Sequence, residues 1–322
     1  MKPPRTDPKL AAAFAKDAAD EAFLDRLNDL LAPAEEASYQ HNLIETLPTI
    51  HVIGAPRTGT TLMTQLIATH LGAGCITNLA AAFWAAPVHG IRLSKHFFPR
   101  GINSNFHSTW GRTQGLMEPH EFGYFWTRIL GHGLDEPADS NSVDWQRLKL
   151  VLLNMLDAYG RPIVFKSFQL AWHLPRMLQE LPRTVWICMR RDPVQAASSV
   201  LRLRRGLSGD ETEWVSIKPK EYAWLKDTDV YTQAAGQVFF TQRTLDQHIE
   251  SVQGRNVLNV DYEELIKDPL GVLVSVRDLA NKEGAELDIL GDVPERFEGV
   301  NKPFDSTEAR MLAQALNELR SR

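Results

Sequence analysis

The feature that most constrains the fold is a β-branched strand that leads directly into a glycine-rich loop and a helix. The strand covers Thr49–Ile53, and the loop reads Gly-Ala-Pro-Arg-Thr-Gly-Thr-Thr over Gly54–Thr61. A helix is predicted from Thr60 to Leu71, with Gly72 just after its end, where a left-handed residue is favoured. Backbone N–H groups in such a loop surround a phosphate at the positive end of the helix dipole. The sequence therefore predicts an α/β domain that begins with a phosphate-binding loop.

Three further strand–helix units follow the first one along the chain. Alternation of strands with helices favours a parallel sheet with helices on both faces, so we expect this α/β fold class. Predicted strands lie at Ile163–Phe165, Thr184–Met189 and Asn256–Val260, and predicted helices at Ala11–Leu31, Val143–Tyr159, Leu170–Leu181, Pro193–Arg205, Tyr231–Val252, Tyr262–Ile266, Leu270–Asn281 and Thr307–Leu319.

Capping residues and loops complete this prediction. Pro33 is expected just after the end of the first helix. Asp192 suits the N-cap of its helix and Pro193 the first helical position, while Asp305 or Ser306 is expected to cap the last helix. The segments expected to lack regular structure are an aromatic stretch at Ala73–Gly133, a mobile loop at Gly206–Asp229 and an extended loop at Pro294–Phe304.

Length and composition fit one large domain. The chain has 322 residues, of which 43% are hydrophobic and 23% charged, and this is close to the globular average. We expect residues 1–48 to form an N-terminal helical extension and residues 49–322 a single domain, with an aromatic insert at about residues 79–133. Two cysteines, Cys75 and Cys188, are too few for a disulfide framework, which favours a reducing, cytoplasmic location. No apolar run is long enough to span a membrane, and the N-terminus lacks the pattern of a signal peptide.

The charge distribution is uneven. The net charge is −5, which argues against a nucleic-acid-binding protein. Residues 183–205, however, contain six arginines and one acid, so this segment carries +5. Arg190 and Arg191 alternate along a strand, so one of them is expected to point away from any ligand. Arg202, Arg204 and Arg205 are expected to lie on a solvated helix face.

The glycine loop lacks the lysine of a nucleotide triphosphatase. A Walker A sequence, GxxxxGK[ST], requires lysine where this chain has Thr60, and that lysine serves the β- and γ-phosphates. Hydrolysis of ATP or GTP is therefore disfavoured, and Arg57 supplies a cation from a different position in the loop. The alternative for this segment alone is a helix start with a Gly-Pro turn and two threonine caps.

Two motifs resemble a known family. The loop residues Pro56, Arg57, Thr58, Gly59, Thr60 and Thr61 resemble the 5′-phosphosulfate-binding loop of sulfotransferases that use 3′-phosphoadenosine-5′-phosphosulfate (PAPS). Its arginine is typical of the bacterial and tyrosylprotein branches. Arg191 and Ser199, eight residues apart, resemble the pair that binds the 3′-phosphate in that family. The resemblance implies a P-loop-like sulfotransferase fold, PAPS as co-substrate and no metal ion.

Two further segments resemble the same family. Pro162–Ser167 is similar to its second strand, in which a lysine, here Lys166, approaches the bridging oxygen of the donor. Val260–Leu265 is similar to a structural element before a C-terminal helix. The ten histidines show no metal-ligand spacing, which also disfavours a metal site.

Sulfuryl transfer requires a group that takes the proton of the acceptor. In the cytosolic small-molecule branch a histidine stands two residues after the lysine, but here that position is Phe168. Other branches use a glutamate, so we expect the base within Glu118–Trp126, with Glu121 ahead of Glu118 and His120 third. Neighbouring aromatic rings are expected to desolvate the carboxylate and raise its pKa. His89, His107 and His173 remain alternatives.

The aromatic segment Leu79–Trp126 and the loop Gly206–Asp229 are expected to form the acceptor wall. Aromatic side chains suit a partly apolar small molecule or lipid that offers a hydroxyl or an amine. Two other functions remain open: a P-loop small-molecule kinase that requires ATP and Mg²⁺, and a non-catalytic protein that binds adenosine 3′,5′-bisphosphate. The sequence predicts no oligomeric state.

Overall fold

The computed structural model of the chain describes residues 16–99, 102, 104–299 and 306–321. Its centre is a five-stranded sheet in which every pair of neighbouring strands is parallel, in the order β2-β3-β1-β4-β5. The strands are β1 Thr49–Gly54, β2 Gly74–Cys75, β3 Ile163–Lys166, β4 Val185–Arg190 and β5 Val257–Asp261. The predicted α/β class with a parallel sheet is confirmed.

Helices surround this sheet. Their bounds are α1 Ala18–Ala37, α2 Thr60–His70, α3 Asn78–Ala81, α4 Pro87–Phe97, α5 Gly123–Leu130, α6 Trp145–Tyr159, α7 Phe168–Ala171, α8 Leu174–Glu180, α9 Pro193–Ser208, α10 Tyr222–Leu225, α11 Val230–Ser251, α12 Tyr262–Lys267, α13 Pro269–Lys282 and α14 Ser306–Arg320.

The two faces of the sheet are buried in different apolar cores. Ile50 and Val52 of β1 pack with α2 and α13, whereas Ile53 belongs to the core formed with α5, α6 and α8. All six residues of β1 are buried. A central strand covered on both faces is typical of parallel sheets. The carboxyl ends of β1, β3 and β4 consequently lie side by side at one edge of the sheet.

Several predicted boundaries are wrong for identifiable reasons. The segment predicted as one helix at Leu170–Leu181 is two helices, α7 and α8, because Pro175 is disfavoured in a helix interior and instead occupies the first turn of α8. The stretch Ala73–Gly133 contains β2, α3, α4 and α5, all short elements with little periodic signal. In the expected mobile loop, α9 continues to Ser208 and α10 is formed.

The N-terminal helix α1 continues through Pro33 to Ala37 rather than ending before the proline. Tertiary contacts hold its second half, because the buried carboxylate of Glu35 accepts hydrogen bonds from the backbone N–H groups of Val88 and His89 at the start of α4 (2.8 and 3.2 Å). Residues 11–15 of the predicted helix, residues 300–304 of the predicted extended loop and the cap candidate Asp305 lie outside the described residues.

Candidate active site

The loop between β1 and α2 requires both of its glycines. Gly59 has φ +94°, and a Cβ atom there would lie 2.5 Å from the ring of Tyr262. A Cβ on Gly54 would lie 2.6 Å from the backbone oxygen of Met189. Thr58 closes the turn by donating its hydroxyl hydrogen bond to the oxygen of Ala55 (2.8 Å). The first turn of α2 contains no acidic residue, so its N–H groups favour an anion.

The two phosphate motifs predicted from the sequence meet in space. The Nε atom of Arg57 donates a hydrogen bond to the Ser199 hydroxyl (3.1 Å), and Arg191 donates to the backbone oxygen of Arg57 (3.0 Å). The guanidinium of Arg191 lies 4.4 Å from the ring centre of Tyr262, the same ring that covers Gly59. Tyr262 therefore supports both motifs, although its segment was expected to be structural only.

The charges around these motifs are predominantly positive. Burial and the charge of Arg191 lower the pKa of Arg57. Burial and the same neighbouring charge lower the pKa of Arg202, which lies one helical turn after Ser199 on α9. Arg202 was expected on a solvated face, but it is half-buried beside the other two arginines. Like charges gathered in this way are suited to an anionic ligand.

The remaining arginines of the basic segment serve other contacts. Arg190 forms an ion pair with Asp246 of α11, whereas Arg191 contacts the glycine loop; one of the two was expected to point away from any ligand. Arg204 was expected to be solvated, which is wrong: it is fully buried, and burial lowers its pKa to about 10. Asp192 and Pro193 start α9 as predicted. The side-chain partners are Asp246 for Arg190, Gln233 and Gln237 for Arg204, and Glu211 and Glu308 for Arg205.

Lys166 connects the glycine loop to an acid. It ends β3, next to β1 in the sheet, and its buried ammonium group donates a hydrogen bond to the Thr61 hydroxyl (2.8 Å). The same group forms an ion pair with Glu121. The ring of Phe168, at the position of the family's histidine, lies 5.1 Å from the ammonium nitrogen.

The two candidate glutamates have different surroundings. The Glu121 side chain is 46% exposed. Desolvation raises its pKa, but the charge and hydrogen bond of Lys166 outweigh this effect, so the pKa is below its usual value. The raised pKa expected from the sequence is therefore wrong for Glu121.

Glu118 is instead buried and holds neutral donors. It accepts hydrogen bonds from the Gln65 amide (2.9 Å), the Ser104 hydroxyl (2.7 Å) and the backbone N–H of Asn105 (2.9 Å). These contacts attach the chain after residue 103 to α2. His120 lies between the two glutamates, and its Nδ1 atom accepts a hydrogen bond from the backbone N–H of Phe122 (2.8 Å). Desolvation lowers the pKa of His120.

The other candidate histidines lie at structural contacts. His89 pairs with Glu35 near the start of α4. His107 provides its backbone oxygen to the Gln65 amide (3.5 Å). His173 is fully buried, and its ring shares hydrogen bonds of 2.7 Å with Ser140 and His132.

A tight hairpin that the sequence analysis missed covers Lys166 and the glycine loop. Thr109 and Arg112 exchange two backbone hydrogen bonds (2.9 and 3.0 Å), and Trp110 and Gly111 between them have φ values of +55° and +87°. A Cβ on Gly111 would lie 3.5 Å from Arg57 Nη1, 3.5 Å from Lys166 Nζ and 3.6 Å from Thr61 Oγ1. Two cations and the Thr61 hydroxyl, which itself donates to the Gly111 oxygen (3.4 Å), therefore border one small space beside Gly111. The signal in the sequence was a glycine as the second residue of a two-residue turn.

The described ranges contain no metal site and no membrane-spanning helix. Within them, no group of three or more His, Cys, Asp or Glu side chains could hold a metal ion. Nor does any helix there have the length and apolar character needed to cross a membrane.

Comparison with known proteins identifies the family. Residues 48–281 match the profile of the Sulfotransferase family. The sulfotransferase STF1 of Mycobacterium tuberculosis has the same fold, with a TM-score of 0.52 and 15% identity over 97% of this chain and 88% of that chain. STF9 of Mycobacterium avium gives a TM-score of 0.47 and 14% identity over 97% and 79% of the two chains. The sulfotransferase domain of the curacin biosynthetic pathway gives 0.41 and 14% over 84% and 98%. No curated protein matches the sequence significantly. The match to the family profile covers well over half of the chain, and the protein therefore belongs to the sulfotransferase family.

Proposed function

We propose that the protein transfers a sulfuryl group from PAPS to a hydroxyl or amine of a partly apolar small-molecule or lipid acceptor. One observation carries this proposal: the ends of three neighbouring strands bring Arg57, Lys166 and Arg191 around one space at the N-terminus of α2, with Glu121 at its edge. A carboxylate next to a cationic cradle suits removal of an acceptor proton during transfer of an anionic group.

In this proposal the sulfuryl donor PAPS extends from the glycine loop, which contains Arg57, to Arg191. Residues Pro56–Thr61 and the N-terminus of α2 hold the 5′-phosphosulfate, while Arg191 and Ser199 hold the 3′-phosphate. Arginine presents a planar fork that matches phosphate oxygens, and a serine hydroxyl adds one donor. The residues present fit such a ligand, because two cationic atoms, Arg57 Nη1 and Lys166 Nζ, lie 3.5 Å from the same point beside Gly111. The 3′-phosphate would also offset the repulsion between Arg191 and Arg202.

The proposed chemistry is an in-line displacement at sulfur. The acceptor oxygen or nitrogen forms a bond to sulfur while the bond from sulfur to the 5′-phosphate oxygen breaks. The electron pair of the broken bond stays on that oxygen, giving adenosine 3′,5′-bisphosphate, and the acceptor proton passes to Glu121. Lys166, Arg57 and the loop N–H groups stabilise the charge that develops on the leaving phosphate. No step in this scheme uses a metal ion.

Glu121 is the better candidate for the base than Glu118. The oxygens of Glu118 are occupied by three neutral donors in the protein interior, whereas Glu121 contacts Lys166 and is accessible to solvent. Its lowered pKa keeps Glu121 ionised near neutral pH, which is the form that accepts a proton. His120 adjoins Glu121 and is the second candidate.

The acceptor wall is proposed to be smaller than the sequence suggested. Phe122, Phe125 and Trp126 of the insert belong to the apolar core, and Trp214 of the later loop packs against Tyr222 with 4.7 Å between ring centres. The Phe168 ring lies beside Lys166, whereas the Trp110 ring packs on Gly206 of α9. The Phe168 ring suits an acceptor with one apolar face. A cytoplasmic location remains a proposal, consistent with two buried cysteines that form no disulfide.

Calorimetric titration of the purified protein tests the donor. We expect tight, metal-independent binding of adenosine 3′,5′-bisphosphate and much weaker binding of ATP. Preference for ATP with Mg²⁺ would support the alternative kinase and refute the proposal. A screen of hydrophobic alcohols, phenols and amines with sulfur-labelled PAPS then tests transfer. Binding of the bisphosphate without label transfer to any acceptor class would favour the non-catalytic binding protein.

A further inference from the structure

We propose that the hairpin tip Trp110–Gly111 determines donor length, by admitting one group beyond the 5′-phosphate and excluding longer 5′-polyphosphates. This inference rests on the proposed function, because it assigns a specificity element to the same donor site. Neither the family profile nor the resemblance of the phosphate motifs assigns a role to this hairpin.

The position of Gly111 is the first argument. Arg57 Nη1, Lys166 Nζ and Thr61 Oγ1 lie 3.5–3.6 Å from the site of its missing Cβ atom. The Thr61 hydroxyl also donates a hydrogen bond to the Gly111 oxygen (3.4 Å). A chain of phosphates that continued beyond the first group after the 5′-phosphate would meet the hairpin backbone at this point. Thus both the absence of the Walker lysine and the presence of the hairpin disfavour a triphosphate.

The hairpin tip is also held in place, as a length-determining wall must be. The indole of Trp110 packs so closely on Gly206 of α9 that a Cβ there would lie 2.3 Å from a ring carbon. The base of the hairpin is attached to α2, because Gln65 contacts both Glu118 and the backbone oxygen of His107. The hairpin therefore spans from α2, which starts at the glycine loop, to α9, which carries Ser199.

Glycine is required at two positions for different reasons. Gly111 has φ +87°, and any side chain there would occupy the space that Arg57, Lys166 and Thr61 border. Gly206 lies inside α9, where alanine would be favoured by helix propensity, yet alanine would displace the Trp110 ring. One substitution fills the proposed pocket, and the other removes the support of its wall.

Three nucleotides with the same adenosine 3′-phosphate and different 5′ chains test the proposal by calorimetry. They are adenosine 3′,5′-bisphosphate, PAPS and adenosine 3′-phosphate 5′-triphosphate, with one, two and three groups in the chain. We expect the unaltered protein to bind the triphosphate at least ~100-fold more weakly than PAPS, as steric exclusion from a formed site allows. Gly111→Ala is expected to weaken the binding of PAPS by about 10-fold or more and to leave the affinity for the bisphosphate unchanged.

Trp110→Ala and Gly206→Ala are expected to act in the opposite direction, raising the relative affinity for the triphosphate by about 10-fold. Gly160→Ala is the matched control, because Gly160 also has a positive φ (+67°) but has nothing within 4 Å of its missing Cβ. Thermal unfolding identifies any variant that fails to fold. If Gly206→Ala does not fold, Trp110→Ala alone tests the support of the hairpin tip.

The outcomes separate this inference from the proposed function. Equal loss of PAPS and bisphosphate affinity in Gly111→Ala would show a general effect on the loop and refute the length-determining role. Equal affinity of the unaltered protein for PAPS and the triphosphate would refute it as well. If the unaltered protein binds none of the three nucleotides, the proposed function itself fails, and the inference fails with it.

Discussion

The strand ends and the insert between β2 and α6 differ in what surrounds their charged side chains. At the strand ends burial and the nearby charge of Arg191 lower the pKa values of Arg57 and Arg202, and Glu121 contacts this cluster through Lys166. In the insert the buried carboxylate of Glu118 is surrounded by neutral hydrogen-bond donors. A cluster of like charges is typical of a site for a ligand of opposite charge, whereas a buried carboxylate whose hydrogen bonds are satisfied is typical of a structural contact.

The largest expected effect is the loss of kcat in Glu121→Gln, which distinguishes Glu121 from Glu118. Glu121→Gln removes the proton acceptor but keeps the shape of the side chain, so kcat should fall by about 10²–10⁴-fold. Binding of adenosine 3′,5′-bisphosphate should remain nearly intact. Steady-state kinetics with labelled PAPS and calorimetry measure the two quantities. Full activity in Glu121→Gln and also in Glu118→Gln would refute a carboxylate base in this segment.

The second prediction compares two adjacent arginines. Arg191→Ala should weaken bisphosphate binding by roughly 10–100-fold, because a hydrogen bond to a charged group contributes about 1.5–3 kcal/mol. Arg190→Ala is the matched control, since Arg190 pairs with Asp246 of α11 and not with the glycine loop. Donor affinity in the control should stay within about twofold of the unaltered protein, as expected for a partly exposed ion pair. If both variants lose affinity equally, the effect belongs to the general positive field rather than to Arg191.

The third prediction concerns Glu118 as an anchor. Glu118→Gln should lower the free energy of unfolding by about 1–3 kcal/mol, because the amide cannot satisfy the donors that the carboxylate accepts. Its kcat should decline much less than that of Glu121→Gln. Urea unfolding followed by fluorescence measures the first quantity. Unchanged stability together with a large loss of kcat would reverse the assignment of the two residues.

The same division explains which parts were predictable from the sequence. In a parallel sheet the residues that follow the strands lie at one edge, so the local patterns and the family resemblance together were enough to predict that Arg57, Lys166 and Arg191 share one site. Glu118, Trp110 and Gly206 are positioned by contacts between distant segments. Those contacts leave no periodic signal, and the hairpin therefore escaped prediction.

The pKa shift of Glu121 was predicted in the wrong direction. Neighbouring aromatic residues in the sequence indicate desolvation, which raises the pKa of a carboxyl group. The partner that reverses the direction, Lys166, lies 45 residues away in the chain. Arg204 shows the same limitation, because its glutamine partners come from α11 and nothing local distinguishes it from an exposed arginine.

The smallest expected effect is the pH dependence of stability, which tests the scaffold separately from the site. Burial lowers the pKa of His173 to about 4 and that of His51 to about 3, so the folded protein keeps both rings neutral. The unfolded chain takes up these protons at a pKa near 6.5. As the pH falls below that value, the unfolded state therefore binds more protons, and each ring lowers stability by at most about 1.4 kcal/mol per pH unit until its folded pKa is reached.

This pH effect should belong to the buried histidines and not to surface imidazoles. Urea unfolding between pH 7 and about pH 4 is expected to show that stability falls as the pH is lowered. This range spans the pKa of His173 in the folded protein, about 4, and in the unfolded chain, near 6.5. His173→Asn should reduce that slope, whereas His96→Asn, which removes an exposed ring on α4, should leave it unchanged. Despite desolvation, Lys166 lowers the pKa of Glu121, whereas the buried histidines begin to lower stability as the pH falls through about 6.5, so kcat should begin to decline at lower pH than stability does. A parallel loss of kcat and stability in every variant would show that activity follows folding alone, and the separation between scaffold and site would not hold.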